Sequence, residues 1–230
     1  MLIQALRGGF DKNTFVQLLL MIPIILISLT VHEYSHGYAA YRCGDMTARN
    51  FGRLSLNPIK HLDPIGTIMM LIFGFGYAKP VPVNARNFNK PRRDMCIVAF
   101  AGPLSNLIMG FLGLAVSRFV NFIIIKTSAD AFLSSQLYSV WSMFCVLFIY
   151  CNIGLAVFNL IPVPPLDGSR LLFVVLPAKI SYYLSKYEQF IMVAVLLLLY
   201  FGLLDSLIYS LRNLVITGFN SFLSLFPIFY

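Results

Sequence analysis

The chain has 230 residues, 59% of them hydrophobic and 11% charged, with 17 basic side chains against nine acidic ones. Soluble domains carry about 25% charged residues, so a water-covered globule is excluded. Disorder is excluded too, because it requires a chain poor in apolar residues. The net charge of +8 is no nucleic-acid footprint: nine of the 17 basic residues lie between Arg42 and Arg93, opposed only by Asp45 and Asp63, and such a cluster beside apolar runs marks a cytoplasmic loop.

In chain order, residues 13–31 carry no charge, and helical character continues to about residue 41. The run passes directly into His-Glu-Tyr-Ser-His with no small-residue cleavage site, so it reads as a span rather than a leader peptide. Residues 51–57 alternate apolar and polar with period two, which predicts a short strand. Residues 64–78 are apolar but only 15 long, with four glycines or prolines; that is too short for a span and reads as re-entrant. Residues 77–83 are expected to be extended, because Pro80 and Pro82 forbid helix. Residues 95–117 form a clear span interrupted by Gly102-Pro103. Residues 131–166, 36 in all without charge, supply one span and an irregular tail, and a short segment follows at 168–176. Residues 189–230 carry only Asp205 and Arg212 and read as one long helix with an interfacial one, or as two spans. The fold class is an all-α polytopic membrane protein of four to six transmembrane helices, with a re-entrant segment and short β-strand inserted between the first two main spans. Cys43, Cys96, Cys145 and Cys151 form no CxxC pair and read as apolar buried thiols.

The chemistry concentrates in His32-Glu33-Tyr34-Ser35-His36, an H-E-x-x-H pattern. Four residues is just over one helical turn, so both imidazoles project from one face and can share a zinc ion, with Glu33 beside them as a base for a metal-activated water. An ionisable residue in a membrane helix costs about 2.5–3.5 kcal/mol on insertion scales, and here three share five positions. A catalytic zinc needs a third protein ligand and an open position. His61, Asp45, Asp63, Asp167 and Asp205 are the candidates. Asp167 is the best placed, at the end of Asn159-Leu-Ile-Pro-Val-Pro-Pro-Leu-Asp-Gly168, where prolines break the helix and irregular backbone at membrane depth must line protein or a wet cavity. Asp45 and Asp63 in the basic loop are expected in salt bridges, and His61 near the site as an indirect or interfacial group.

These motifs resemble the site-2 protease family of intramembrane zinc metalloproteases. The resemblance rests on H-E-x-x-H in an early span and on the later P-x-x-x-x-D-G. It is supported by Gly102-Pro-Leu-Ser-Asn106, Asn57-Pro-Ile-Lys-His-Leu-Asp-Pro64 and Lys79-Pro-Val-Pro-Val83, all in the family's order between about residues 30 and 170. It implies one zinc ion held by His32, His36 and Asp167, water activated by Glu33, and Asn106 on the substrate backbone or the developing oxyanion. By length the chain is expected to be one domain over 1–230, with no room for the PDZ or CBS modules of many family members, with a catalytic core at about 13–176 and a C-terminal helical region at 180–230 that matches no family motif. Its partners are the bilayer and a transmembrane or membrane-tethered protein substrate. An unwound substrate is expected to add as a strand near Arg53, Ser55 and Asn57, with Asn159 as a further contact. With the basic loop cytoplasmic, the first helix runs inward and the next two spans return Asp167 to the face of the histidines. The site then sits nearer the cytoplasmic side, in a prokaryotic cytoplasmic membrane. Competing readings are a membrane zinc transporter, in which Glu33 has no necessary task, and an inactive homologue that only binds membrane segments.

Overall fold

The computed structural model describes residues 11–64, 66, 78–127 and 135–226. Asp11 opens the first helix by accepting the Thr14 N–H at 2.8 Å, which satisfies one of the donors that a helix start leaves unpaired. Helix α1 then runs Lys12–Arg42 and carries the H-E-x-x-H motif in its last third. A short α2 (Thr47–Asn50) and 3₁₀ turns at Pro58–Lys60 and Ala85–Asn87 punctuate the basic loop. Pro91 begins α3 (Pro91–Lys126), a position where its missing N–H costs nothing. Asp94 reaches back to the Lys90 N–H at 2.7 Å. Ser135 caps α4 (Gln136–Asn159) by accepting the Tyr138 N–H at 3.2 Å. After a proline-rich turn come α5 (Asp167–Val175), α6 (Ala178–Lys186), α7 (Glu188–Tyr200) and α8 (Asp205–Leu223).

With 31, 36 and 24 residues, α1, α3 and α4 reach about 46, 54 and 36 Å, each longer than a hydrocarbon core of about 30 Å. Among the described residues these three are long and apolar enough to cross a membrane; counting the bent pair Lys179–Lys186 and Glu188–Tyr200 as one broken span makes four. The upper end of the expected four to six is therefore not reached there. Helix α8 is not apolar enough to count among them, since Asp205, Ser206, Ser210, Arg212, Asn213 and Asn220 lower its mean hydropathy.

Helices α1, α3 and α4 pack mutually; α5 lies on α3, and α8 on α4. The close approach of α3 to α4 depends on Gly110, where a Cβ would stand 2.6 Å from the Ile153 side chain. Leu19, Ile22, Ile27, Ile108, Leu112 and Val116 are exposed on the outer faces of α1 and α3, an arrangement suited to lipid rather than water.

One expectation is corrected. No β-strand forms among the described residues, neither at 51–57 nor at 78–83. Pro80 and Pro82 have no N–H to offer a ladder, and the Val81 N–H goes to the Glu33 carboxylate. Arg53 donates to the Lys79 and Pro80 carbonyls at 2.7 and 3.3 Å, and the Lys79 N–H goes to the His61 carbonyl at 2.9 Å, while the His61 ring donates to the Ser55 carbonyl at 2.7 Å. The two segments are thus tied by the Arg53 side chain rather than by a backbone ladder between them. The re-entrant reading of 64–78 falls largely outside the described residues.

Candidate metal centre

On α1, His32 and His36 lie one turn apart and both are buried. Their Nε2 atoms are 3.1 Å apart, and each lies 3.2 Å from Asp167 Oδ2. Asp167 arrives from the first turn of α5, just after the proline-rich turn. Gly168 makes that arrival possible, since a Cβ there would stand 2.6 Å from the Ile161 carbonyl oxygen. Among the described residues these three side chains form the one cluster able to hold a metal ion.

The geometry fits a zinc ion. Ligands at about 2.0–2.1 Å in a tetrahedral shell lie about 3.3–3.4 Å apart, and the observed triangle has edges of 3.1, 3.2 and 3.2 Å. The ring tautomers fit as well. His32 Nδ1 donates to Asn106 Oδ1 at 2.6 Å, and His36 Nδ1 to the Val98 carbonyl at 2.7 Å. Both acceptors lack a proton to give, so each Nδ1 carries the hydrogen and each Nε2 keeps the lone pair a metal requires.

Helix α3 forms the wall behind the histidines. At Gly102 a Cβ would stand 2.6 Å from His36 Cε1 and 2.7 Å from His32 Cε1, so a glycine is what lets the helix back against both rings. Glu33 lies in the same cavity of about 290 Å³, lined also by Pro80, Val81, Asn159 and Arg170. Its Oε2 accepts the Val81 N–H at 2.8 Å.

Other residues singled out by sequence fall differently. Asn106 is fully buried, and both N–H bonds of its amide go to protein acceptors, the Ser28 carbonyl at 3.2 Å and Asn152 Oδ1 at 2.9 Å. Asn159 lines the cavity and donates to the Leu155 carbonyl at 2.9 Å. Arg53, Ser55, Asn57 and His61 are not brought to the cluster. Arg53 clamps the 79–80 carbonyls, Ser55 accepts the Asn57 N–H, Asn57 caps the Pro58–Lys60 turn, and His61 ties that turn to Ser55. Asp45 forms no salt bridge among the described residues; it accepts from Thr47, from the Asn84 N–H at 2.7 Å and from Asn87 at 2.8 Å, and so staples the basic loop. Gly102 and Val81 lie in motifs that the sequence singles out, but their contacts at the site are seen only in the fold, and Asn152 is not singled out at all. The signals are the Gly-Pro break that interrupts an apolar helix at Gly102 and the two prolines that flank Val81.

The model of Peptidase family M50 matches residues 20–203, which contain the whole cluster. Two relatives have names that begin "Putative zinc metalloprotease". YwhC of Bacillus subtilis is 38% identical over 221 residues, 94% of this chain and 96% of that protein. Rip2 of Mycolicibacterium smegmatis is 30% identical over 155 residues, 65% of this chain and 54% of that protein. No solved structure matches the chain. The chain belongs to peptidase family M50, the site-2 protease family of zinc metalloproteases.

Proposed function

We propose that this chain is an intramembrane zinc metalloprotease that hydrolyses peptide bonds of membrane-spanning or membrane-tethered proteins. The observation that carries the reading is the His32–His36–Asp167 triangle with the Glu33 carboxylate in the same cavity. One zinc ion held by those three side chains would supply a Lewis acid and make water nucleophilic near neutral pH. Glu33, fixed by the Val81 N–H, takes the proton of the attacking water and delivers it to the departing amide nitrogen. Asn106 and the Val98 carbonyl hold the two imidazoles with their Nε2 atoms toward Asp167. The part assigned to Asn106 is therefore the positioning of His32, because its donors are already spent.

The substrate enters the cavity beside Asn159 and the 78–83 segment as an unwound stretch. The Lys79 and Pro80 carbonyls are held by Arg53, so Arg53 and, through His61, Ser55 act by shaping this wall. His32 and His36 lie about 9–15 Å from the Arg42 end of α1. With the basic loop cytoplasmic, the site sits within the membrane nearer that side, and cleavage releases a fragment there. A bacterial cytoplasmic membrane suits this orientation and the bacterial relatives.

The test is the purified wild type against Glu33→Gln in detergent, with zinc content and cleavage of a labelled transmembrane peptide measured together. The wild type should cleave, and the variant should lose about 10²–10⁴-fold in rate while keeping its zinc. A wild type that moves zinc across a vesicle membrane and cleaves nothing would instead establish the transporter reading. A glutamine variant that cleaves at the wild-type rate would remove Glu33 from the mechanism.

A further inference from the structure

We propose that Asn152, a buried amide in the middle of α4, is a positioning residue that fixes the tautomer of His32 through Asn106. Asn152 is fully buried among Ile149, Ile153 and Ala156 on the inner face of α4. Its Nδ2 donates to the Phe148 carbonyl at 2.9 Å. A backbone carbonyl can only accept, so this bond orients the amide and turns Oδ1 away from its own helix. That oxygen accepts from Asn106 Nδ2 at 2.9 Å, and the Ser28 carbonyl of α1 accepts from the same nitrogen at 3.2 Å. Two acceptors on one side of the Asn106 amide force its oxygen to the other side, toward His32 Nδ1 at 2.6 Å.

The sense of every bond in this relay is thus set by main-chain carbonyls on two different helices. A neutral imidazole carries one N–H. Facing an oxygen, His32 places it on Nδ1 and presents a bare Nε2 to His36 and Asp167. Were the Asn106 amide reversed, it would offer N–H to His32, draw the lone pair to Nδ1, and put the hydrogen on Nε2, where no metal could bind. Without Asn152, only the longer 3.2 Å bond to Ser28 opposes that reversal. His36 needs no relay, because its Nδ1 donates directly to the Val98 carbonyl.

This inference rests on the proposed metal site, but its first measurement does not. The chain has three histidines, so ¹⁵N-histidine labelling of the metal-free protein in detergent gives a spectrum of three rings, assigned with His61→Gln. His61, whose Nε2 donates to the Ser55 carbonyl, is an internal reference of opposite tautomer. The wild type should show His32 with Nδ1–H. Asn152→Leu should show mixed His32 tautomers and bind cobalt(II) about tenfold more weakly. Asn152→Thr should restore both, since its hydroxyl donates to the carbonyl one turn back and accepts from Asn106. A wild-type His32 that is neutral with its hydrogen on Nε2 and none on Nδ1 overturns the relay without any variant, and so does a leucine variant with unchanged ring signals and cobalt affinity. A wild type with the expected tautomer that binds no metal would defeat the proposed function and leave the relay standing.

Discussion

The Glu33 carboxylate accepts a hydrogen bond from the Val81 N–H at 2.8 Å, although the two residues are 48 positions apart. Val81 stands between Pro80 and Pro82, which have no N–H, so it is the one backbone donor of residues 80–82. The Val81 side chain also packs beside Gly37, where an added Cβ would lie 3.1 Å from Val81 Cγ1. Base and cavity wall are therefore positioned together.

Val81→Pro removes that donor while keeping an extended backbone, which a residue preceding proline already favours. Its peptide cleavage rate should fall about tenfold or more, as expected when a general base loses its orientation, with zinc content unchanged. Steady-state kinetics on a labelled transmembrane peptide, with metal analysis of the same sample, check this. Unchanged kcat would show that the bond does not position Glu33.

Gly102→Ala places a methyl group against His36 Nε2 and 2.6 and 2.7 Å from the Cε1 atoms of His36 and His32, and overpacking of this kind costs about 1–3 kcal/mol. Zinc affinity should fall by about tenfold or more, because the rings can yield only by leaving their Nδ1 partners. Gly154→Ala on α4, where a Cβ meets nothing within 4 Å, should leave affinity and stability unchanged. Competitive zinc titration of both variants decides the point; equal affinities would mean that α3 does not wall the site.

Asp45 gives a pH-dependent prediction outside the spanning helices. Burial pushes its carboxyl up, but hydrogen bonds from Thr47, Asn84 and Asn87 outweigh that and hold it below its ordinary value. A carboxylate depressed by folding contributes stability that is fully present above its unfolded pKa of about 3.9 and lost as pH falls through the folded value. Asp45→Asn should therefore unfold at lower temperature than wild type at pH 7, by an amount corresponding to about 1–3 kcal/mol, and the gap should narrow as pH falls below 4. Thermal unfolding in detergent at several pH values measures both; a gap independent of pH would contradict the staple.

The metal cluster was legible because its physics is local or punctuated. A period of 3.6 puts His32 and His36 on one face, and the run of prolines before Asp167 announces a turn that exposes a carboxylate. Asn152 was invisible for the opposite reason: one amide in an apolar helix has the same signature whether it glues helices or orients a ligand, and only the identity of its neighbour on α3 distinguishes the two. Gly102 showed as a break in a helix, but what it admits depends on which rings cross there. The strand at 51–57 misled because period-two alternation reports which side chains face inward, not whether a partner has N–H groups to give. Pro80 and Pro82 have none, the Val81 N–H goes to Glu33 and the Lys79 N–H to the His61 carbonyl, and the Arg53 side chain bridges to the Lys79 and Pro80 carbonyls.

X-ray absorption at the zinc edge of the purified wild type, compared with Asp167→Ala, tests the central claim most directly. The account predicts two imidazole nitrogens and a carboxylate oxygen at about 2.0–2.2 Å in the wild type, with the carboxylate contribution and most of the bound zinc lost in the alanine variant. A shell containing sulfur, or an Asp167→Ala spectrum and zinc content identical to wild type, would contradict it.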